Sequence, residues 1–82
     1  MKVHIRYFAS LRESVGRAGE EIEFAGDQLS VSGLREHLAA HGVDVLGQTA
    51  TLRAAVNQVM AGPETAVGDG DEVAFFPPVT GG

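Results

Sequence analysis

Two alternating runs, one near each end of the chain, demand a sheet. In VHIRYF, residues 3–8, Val3, Ile5 and Tyr7 alternate with His4, Arg6 and Phe8, which is the period of a strand with one face turned inward. In EVAFF, residues 72–76, Val73 and Phe75 share one parity while Ala74 and Phe76 share the other. A sheet of this kind hides its apolar face only beneath a second layer. One segment supplies that layer. Ser30 can cap a helix that starts at Val31, and Gly42 can end it because glycine takes a left-handed conformation without cost. Between them Val31, Leu34, Leu38 and Ala39 draw an apolar stripe, with Arg35, Glu36 and His37 expected toward solvent.

The other segments fill in around this pair of layers. Ala9 to Val15 is expected to form a helical turn or two, and Glu21 to Phe24 alternates again as a second strand forming a hairpin with the first. Val43 to Thr51 has weak periodicity and reads as an irregular or short helical connection. Leu52, Ala54 and Val56 mark a third strand, and Val59 with Met60 continues into a short fourth one before Gly62 and Pro63 interrupt. Asp69-Gly70-Asp71 is a turn leading into the last strand. The class is therefore α+β: a mixed four to five stranded sheet packed against one main helix. The order of elements suits a ubiquitin-like β-grasp, and that analogy places the first and last strands side by side in mid-sheet.

Eighty-two residues without a repeat or linker make one domain with a small core, too shallow for a deep enclosed active site. The chain has no cysteine, which excludes disulfides, thiolate metal sites and thiol nucleophiles within it. A net charge of -5 disfavours nucleic acid and anionic lipid and suits a basic partner surface. The first residues lack the continuous apolar stretch of a signal peptide, and no segment is long enough to span a bilayer, so a cytoplasmic location is expected.

Sites with chemistry of their own are scarce. His37 and His41 lie four apart on the helix and could share a metal, but no third ligand or HExxH pattern accompanies them. They read as surface histidines, and no metal site is expected. Ser10, Ser14, Ser30 and Ser32 lack a nucleophile-elbow context. Asp69, Asp71 and Glu72 read as an acidic turn, since a calcium loop needs more ligands at longer spacing.

Phe75 and Phe76 say more. Neighbouring strand residues point to opposite faces, so Phe75 joins Val73 in the core and Phe76 emerges on the open side of the sheet with Ala74, Ala55 and Phe8. An aromatic, lightly polar face docks a protein unless one of the short helical turns, 9–15 or 43–51, folds over it. Beyond it, Pro77 and Pro78 end regular pairing and favour an extended exit. Val79 and Thr80 keep that exit extended, and Gly81 and Gly82 offer backbone thin enough for a narrow cleft. Residues 1–76 are thus expected to form the domain and residues 77–82 an arm. Composition alone makes such an arm a frayed end.

The arm acquires a meaning from resemblance. AVNQ at 55–58, DGDEVAFFPPVTGG at 69–82 and VHIRYFASLRESVG at 3–16 closely resemble the small, sulfur-carrying subunits of molybdopterin synthase, within the ubiquitin-like sulfur-carrier family. The resemblance implies that the Gly82 carboxylate is adenylated with ATP by a ubiquitin-activating-like adenylyltransferase and converted to a thiocarboxylate with sulfur from a donor protein. The charged arm would then enter the large synthase subunit, in an assembly of two small and two large subunits. There its sulfur would pass to cyclic pyranopterin monophosphate as the dithiolene of molybdopterin forms. It also implies partner-facing roles for Phe8, Met60 and Phe76, of which strand parity singles out only Phe8 and Phe76. Such a chain is a cosubstrate without a pocket of its own. Two other readings stay open at this point: a sulfur carrier serving thiamine or tRNA thiolation, and a binding module with an inert tail.

Overall fold

The computed structural model describes residues 1–48 and 51–78. Strand β1 (Lys2–Tyr7) leads into helix α1 (Ala9–Val15) and strand β2 (Gly19–Glu23). Strand β3 (Leu29–Ser30) precedes the main helix α2 (Val31–Ala40) and the single turn α3 (Val45–Gln48). Strands β4 (Arg53–Val56), β5 (Val59–Ala61), β6 (Ala66–Val67) and β7 (Glu72–Phe76) complete the described fold. Five strands form the main sheet in the order β2-β1-β7-β4-β5. The first and last strands run parallel side by side, Ile5 opposite Val73 and Tyr7 opposite Phe75. Their other neighbours, β2 and β4, are antiparallel to them. This is the ubiquitin-like β-grasp.

Strand parity sorts the side chains as alternation requires. Val3, Ile5, Tyr7, Val73 and Phe75 are almost wholly buried, and they meet Val31, Leu34 and Leu38 from α2 in one core. The helix is capped at its start by Ser30, whose Oγ accepts the Gly33 N–H at 3.1 Å. It ends at His41, and Gly42 follows with φ of 102°, a conformation in which a side chain would be strained.

Several expectations need correction. The second strand begins at Gly19 rather than Glu21 and stops at Glu23, because its N-terminal half pairs with Ile5 and Arg6. Arg35 does not simply face solvent: it is half-buried, and its Nε donates to the Leu46 carbonyl at 2.6 Å, tying α2 to α3. The His37 ring is also half-buried, standing edge-on to Phe24 with centroids 5.3 Å apart. The connection after α2 carries core residues, Val43 and Leu46, that its weak periodicity does not reveal. A second small sheet, β3 with β6, is equally invisible to periodicity; it places Leu29 opposite Val67.

One polar cluster pins the β1–β2 connection. The buried Tyr7 hydroxyl donates to Glu20 Oε2 at 2.7 Å, and Arg17 donates to the same oxygen through Nε and a terminal nitrogen. Burial, then the adjoining carboxylate, push the Tyr7 phenol well above its ordinary range, so it is a donor at neutral pH.

Candidate functional site

The backbone register decides what lies on the side of the sheet away from α2. Arg6, Ala74, Ala55 and Met60 form one row across β1, β7, β4 and β5. Arg53 lies opposite Phe76 in the next row. Phe8 extends this row: its N–H donates to the Phe75 carbonyl at 3.2 Å while its own backbone is still extended. The chain then turns sharply at Ala9, with φ of 55°, into α1. A non-glycine residue in that region is uncommon, and here the turn leaves the Phe8 ring on the open face at 42% exposure.

Neither short helix covers this face. Leu11 of α1 and Leu46 of α3 both belong to the core on the α2 side, so both turns lie on the layer opposite the open surface. The face holds a depression of about 580 Å³ floored by Ala55 and Ala74, walled by Phe8, Phe76 and Pro77, and edged by Arg6, Gln58 and Glu72. Two alanines in adjacent strands make the hollow, because neither side chain rises to fill the space between the rings. Met60 shares the face through its pairing with Ala55 and is 60% exposed. Parity along the sequence stops at the bend, so it does not reach Met60. The Asn57 and Gln58 turn, with φ of 50° and 69°, sets Val56 opposite Val59 and therefore Ala55 opposite Met60. The signal that identifies Met60 is AVNQVM read as a two-residue hairpin.

Charged side chains flank the hollow. Arg6 lies 5.6 Å from the Phe8 ring centroid and 3.6 Å from a Glu72 carboxylate oxygen. Glu21 carboxylate oxygens lie 3.4 Å from Lys2 Nζ and 3.0 Å from His4 Nδ1. Exposed pairs of this type contribute at most about 1 kcal/mol each, so their importance is in shaping the surface potential.

The remaining candidates have structural partners. Asp71 accepts hydrogen bonds from Asn57 Nδ2 at 3.0 Å and the Gly68 N–H at 2.7 Å, which hold its carboxyl below the usual aspartate range. Asp69 accepts the Lys2 N–H at 2.6 Å. The acidic turn thus anchors β7 against β1 and β4. The His37 and His41 rings stack at 4.2 Å with 22° between their planes, so their in-plane lone pairs do not converge on one point. Among the described residues, no group of three or more His, Asp or Glu could hold a metal ion, and no helix is long and apolar enough to cross a membrane. Pro77 and Pro78 are half-buried just beyond β7; Val79, Thr80, Gly81 and Gly82 lie outside the described residues.

The described residues thus present an open face beside the last strand, on which Phe8 and Met60 are exposed and Phe76 is half-buried. A family model, that of the ThiS family, matches residues 5–82. The chain belongs to the ThiS family. Within that family it is 43% identical over 82 residues to the molybdopterin synthase sulfur carrier subunit of Escherichia coli (strain K12), covering 98% of this chain and 99% of that protein. A solved structure from Pyrococcus furiosus, assigned to subunit 1 of a molybdopterin converting factor, is 30% identical with a TM-score of 0.82, covering 96% of this chain and 99% of that one. The fold is shared as well with a chain in a protein–protein complex of subunits 1 and 2 of the molybdopterin-converting factor from Helicobacter pylori, at a TM-score of 0.68 and 23% identity, with both chains covered completely.

Proposed function

We propose that this chain is the sulfur carrier of a cytoplasmic molybdopterin synthase, with residues 1–76 as the docking domain and residues 77–82 as the sulfur-bearing arm. The observation that carries this reading is the 43% identity to a sulfur carrier subunit along essentially the whole of both chains. That relative also favours molybdopterin over thiamine or tRNA thiolation. The geometry agrees with it: β7 lies in mid-sheet, bears Phe76 on the open face and leads directly into the two prolines.

In this reading the chemistry happens at Gly82 and the catalytic groups belong to partners. A free carboxylate is a poor electrophile. Attack of a Gly82 carboxylate oxygen on the α-phosphorus of ATP, within an adenylyltransferase, forms an acyl-adenylate and releases pyrophosphate. Sulfide-level sulfur, freed when a thiol reductant cleaves the persulfide of a donor protein, then attacks the acyl carbon, displaces AMP and leaves a thiocarboxylate. Docking of Phe8, Met60 and Phe76 on the large subunit places that sulfur beside cyclic pyranopterin monophosphate, and holding nucleophile and acceptor together raises the rate by proximity. Two such transfers, each followed by hydrolysis of the acyl–sulfur bond that returns a Gly82 carboxylate, supply the two sulfurs of the molybdopterin dithiolene. A complex of two small and two large subunits serves both arms.

Intact-mass analysis of the chain after incubation with its activating enzyme, ATP and a sulfur donor tests the reading. The expected product is heavier by the difference between one sulfur and one oxygen, with the change confined to the peptide containing Gly82. An unchanged mass in the presence of an active adenylyltransferase would reject it.

A further inference from the structure

Among the described residues, the open face carries three permanent cations, Lys2, Arg6 and Arg53, by strand parity and register. Lys2 and Arg6 each lie within 4 Å of a carboxylate. Arg53 is exposed and has neither a side-chain hydrogen bond nor an ion pair among the described residues. It lies directly opposite Phe76, at the end of β7 from which Pro77 continues. A partner that receives the arm must come close to this point, and an interface of ordinary size, about 800 Å² on each side, extends well beyond the hollow. Arg53 does not line the hollow itself, so such an interface takes it in at the polar rim, where a charge stays partly hydrated and its pairing is screened by salt.

We propose that Arg53 is a specificity-determining residue of the docking face, meeting a carboxylate on the large subunit and fixing the rotation at which the arm enters. The proposal rests on the sulfur-carrier reading above. Its chemistry runs opposite to the overall charge: a chain of net -5 attracts a broadly basic surface, whereas this position selects an acidic side chain within it. A lone cation among paired charges is an orientation mark, because wrong rotations place it against the partner's basic groups, and like-charge contact disfavours them.

The test is calorimetric titration of the large subunit with wild type, Arg53→Lys, Arg53→Gln and Arg53→Glu at low and high salt. At low ionic strength Kd is expected to rise about threefold for Arg53→Gln and about tenfold or more for Arg53→Glu, with Arg53→Lys close to wild type. The differences should vanish near 1 M salt, where the screening length is about 3 Å. Equal Kd values at low salt, or a loss for Arg53→Glu that persists unchanged at high salt, would overturn the proposal. Failure of the underlying reading looks different: wild type itself would not bind the large subunit. Matching thermal transitions for the four proteins exclude misfolding as the cause.

Discussion

Phe75 and Phe76 are adjacent in sequence and belong to different parts of the protein's behaviour. Phe75 is 1% exposed and packs among Ile5, Leu34 and Val73, whereas Phe76 is half-exposed beside Arg53 and the hollow. Truncating a fully buried phenylalanine costs about 3–5 kcal/mol, a large share of the stability of a domain this small. Phe75→Ala should therefore lower the urea midpoint severely. Phe76→Arg should move it little while weakening association with the large subunit, as read by calorimetry. A stability loss as large for Phe76→Arg as for Phe75→Ala would show that Phe76 belongs to the core, and equal binding would remove it from the docking face. This division is legible in the sequence, because Val73 and Phe75 share a parity that Ala74 and Phe76 do not. Arg53 does not stand out there, since its placement beside Phe76 depends on which strand neighbours β7, and alternation is silent about pairing.

At the scale of elements, the ends matter as much as the interiors. Ser30 closes β3 and caps α2 at once, and its Oγ lies 3.1 Å from the Gly33 nitrogen. Ser30→Ala should cost about 1 kcal/mol, measured by chemical denaturation, and Ser30→Asp should recover most of it. The Asp71 turn gives a pH signature. Its folded pKa is lowered by Asn57 and Gly68, so its contribution is complete above the unfolded value, near 3.9, and is lost as pH falls through the folded value. Asp71→Asn should accordingly lower Tm at pH 7, and the gap to wild type should close in strong acid; a gap independent of pH would assign the effect to shape instead of charge. Ser30, Gly42 and the Asp69-Gly70-Asp71 turn are readable because caps and turns are local chemistry. The two-residue strands β3 and β6 are not, for so short a run has no period and each is defined by its partner, Leu29 against Val67. Val43 and Leu46 are hidden similarly: a single helical turn is too brief to display a stripe.

For the whole molecule, the core spans Val3 to Phe75 and, among the described residues, includes nothing from beyond β7. Stability and sulfur transfer should therefore separate cleanly when the last two residues are removed. Deleting Gly81 and Gly82 should leave Tm within about 1 °C of wild type, because two glycines take no side chain with them. Association with the large subunit should change modestly, since ordering the arm costs about 1–2 kcal/mol per residue and the deletion removes this cost together with the backbone hydrogen bonds that offset it. Sulfur transfer should disappear, because the carboxylate proposed to bear the sulfur has gone. Thermal melting, calorimetry and a reconstituted molybdopterin assay distinguish the outcomes. A truncated chain that still supports product formation would remove Gly82 from the chemistry. One that folds but no longer binds would shift the docking energy from the open face of Phe8, Met60 and Phe76 to the arm itself.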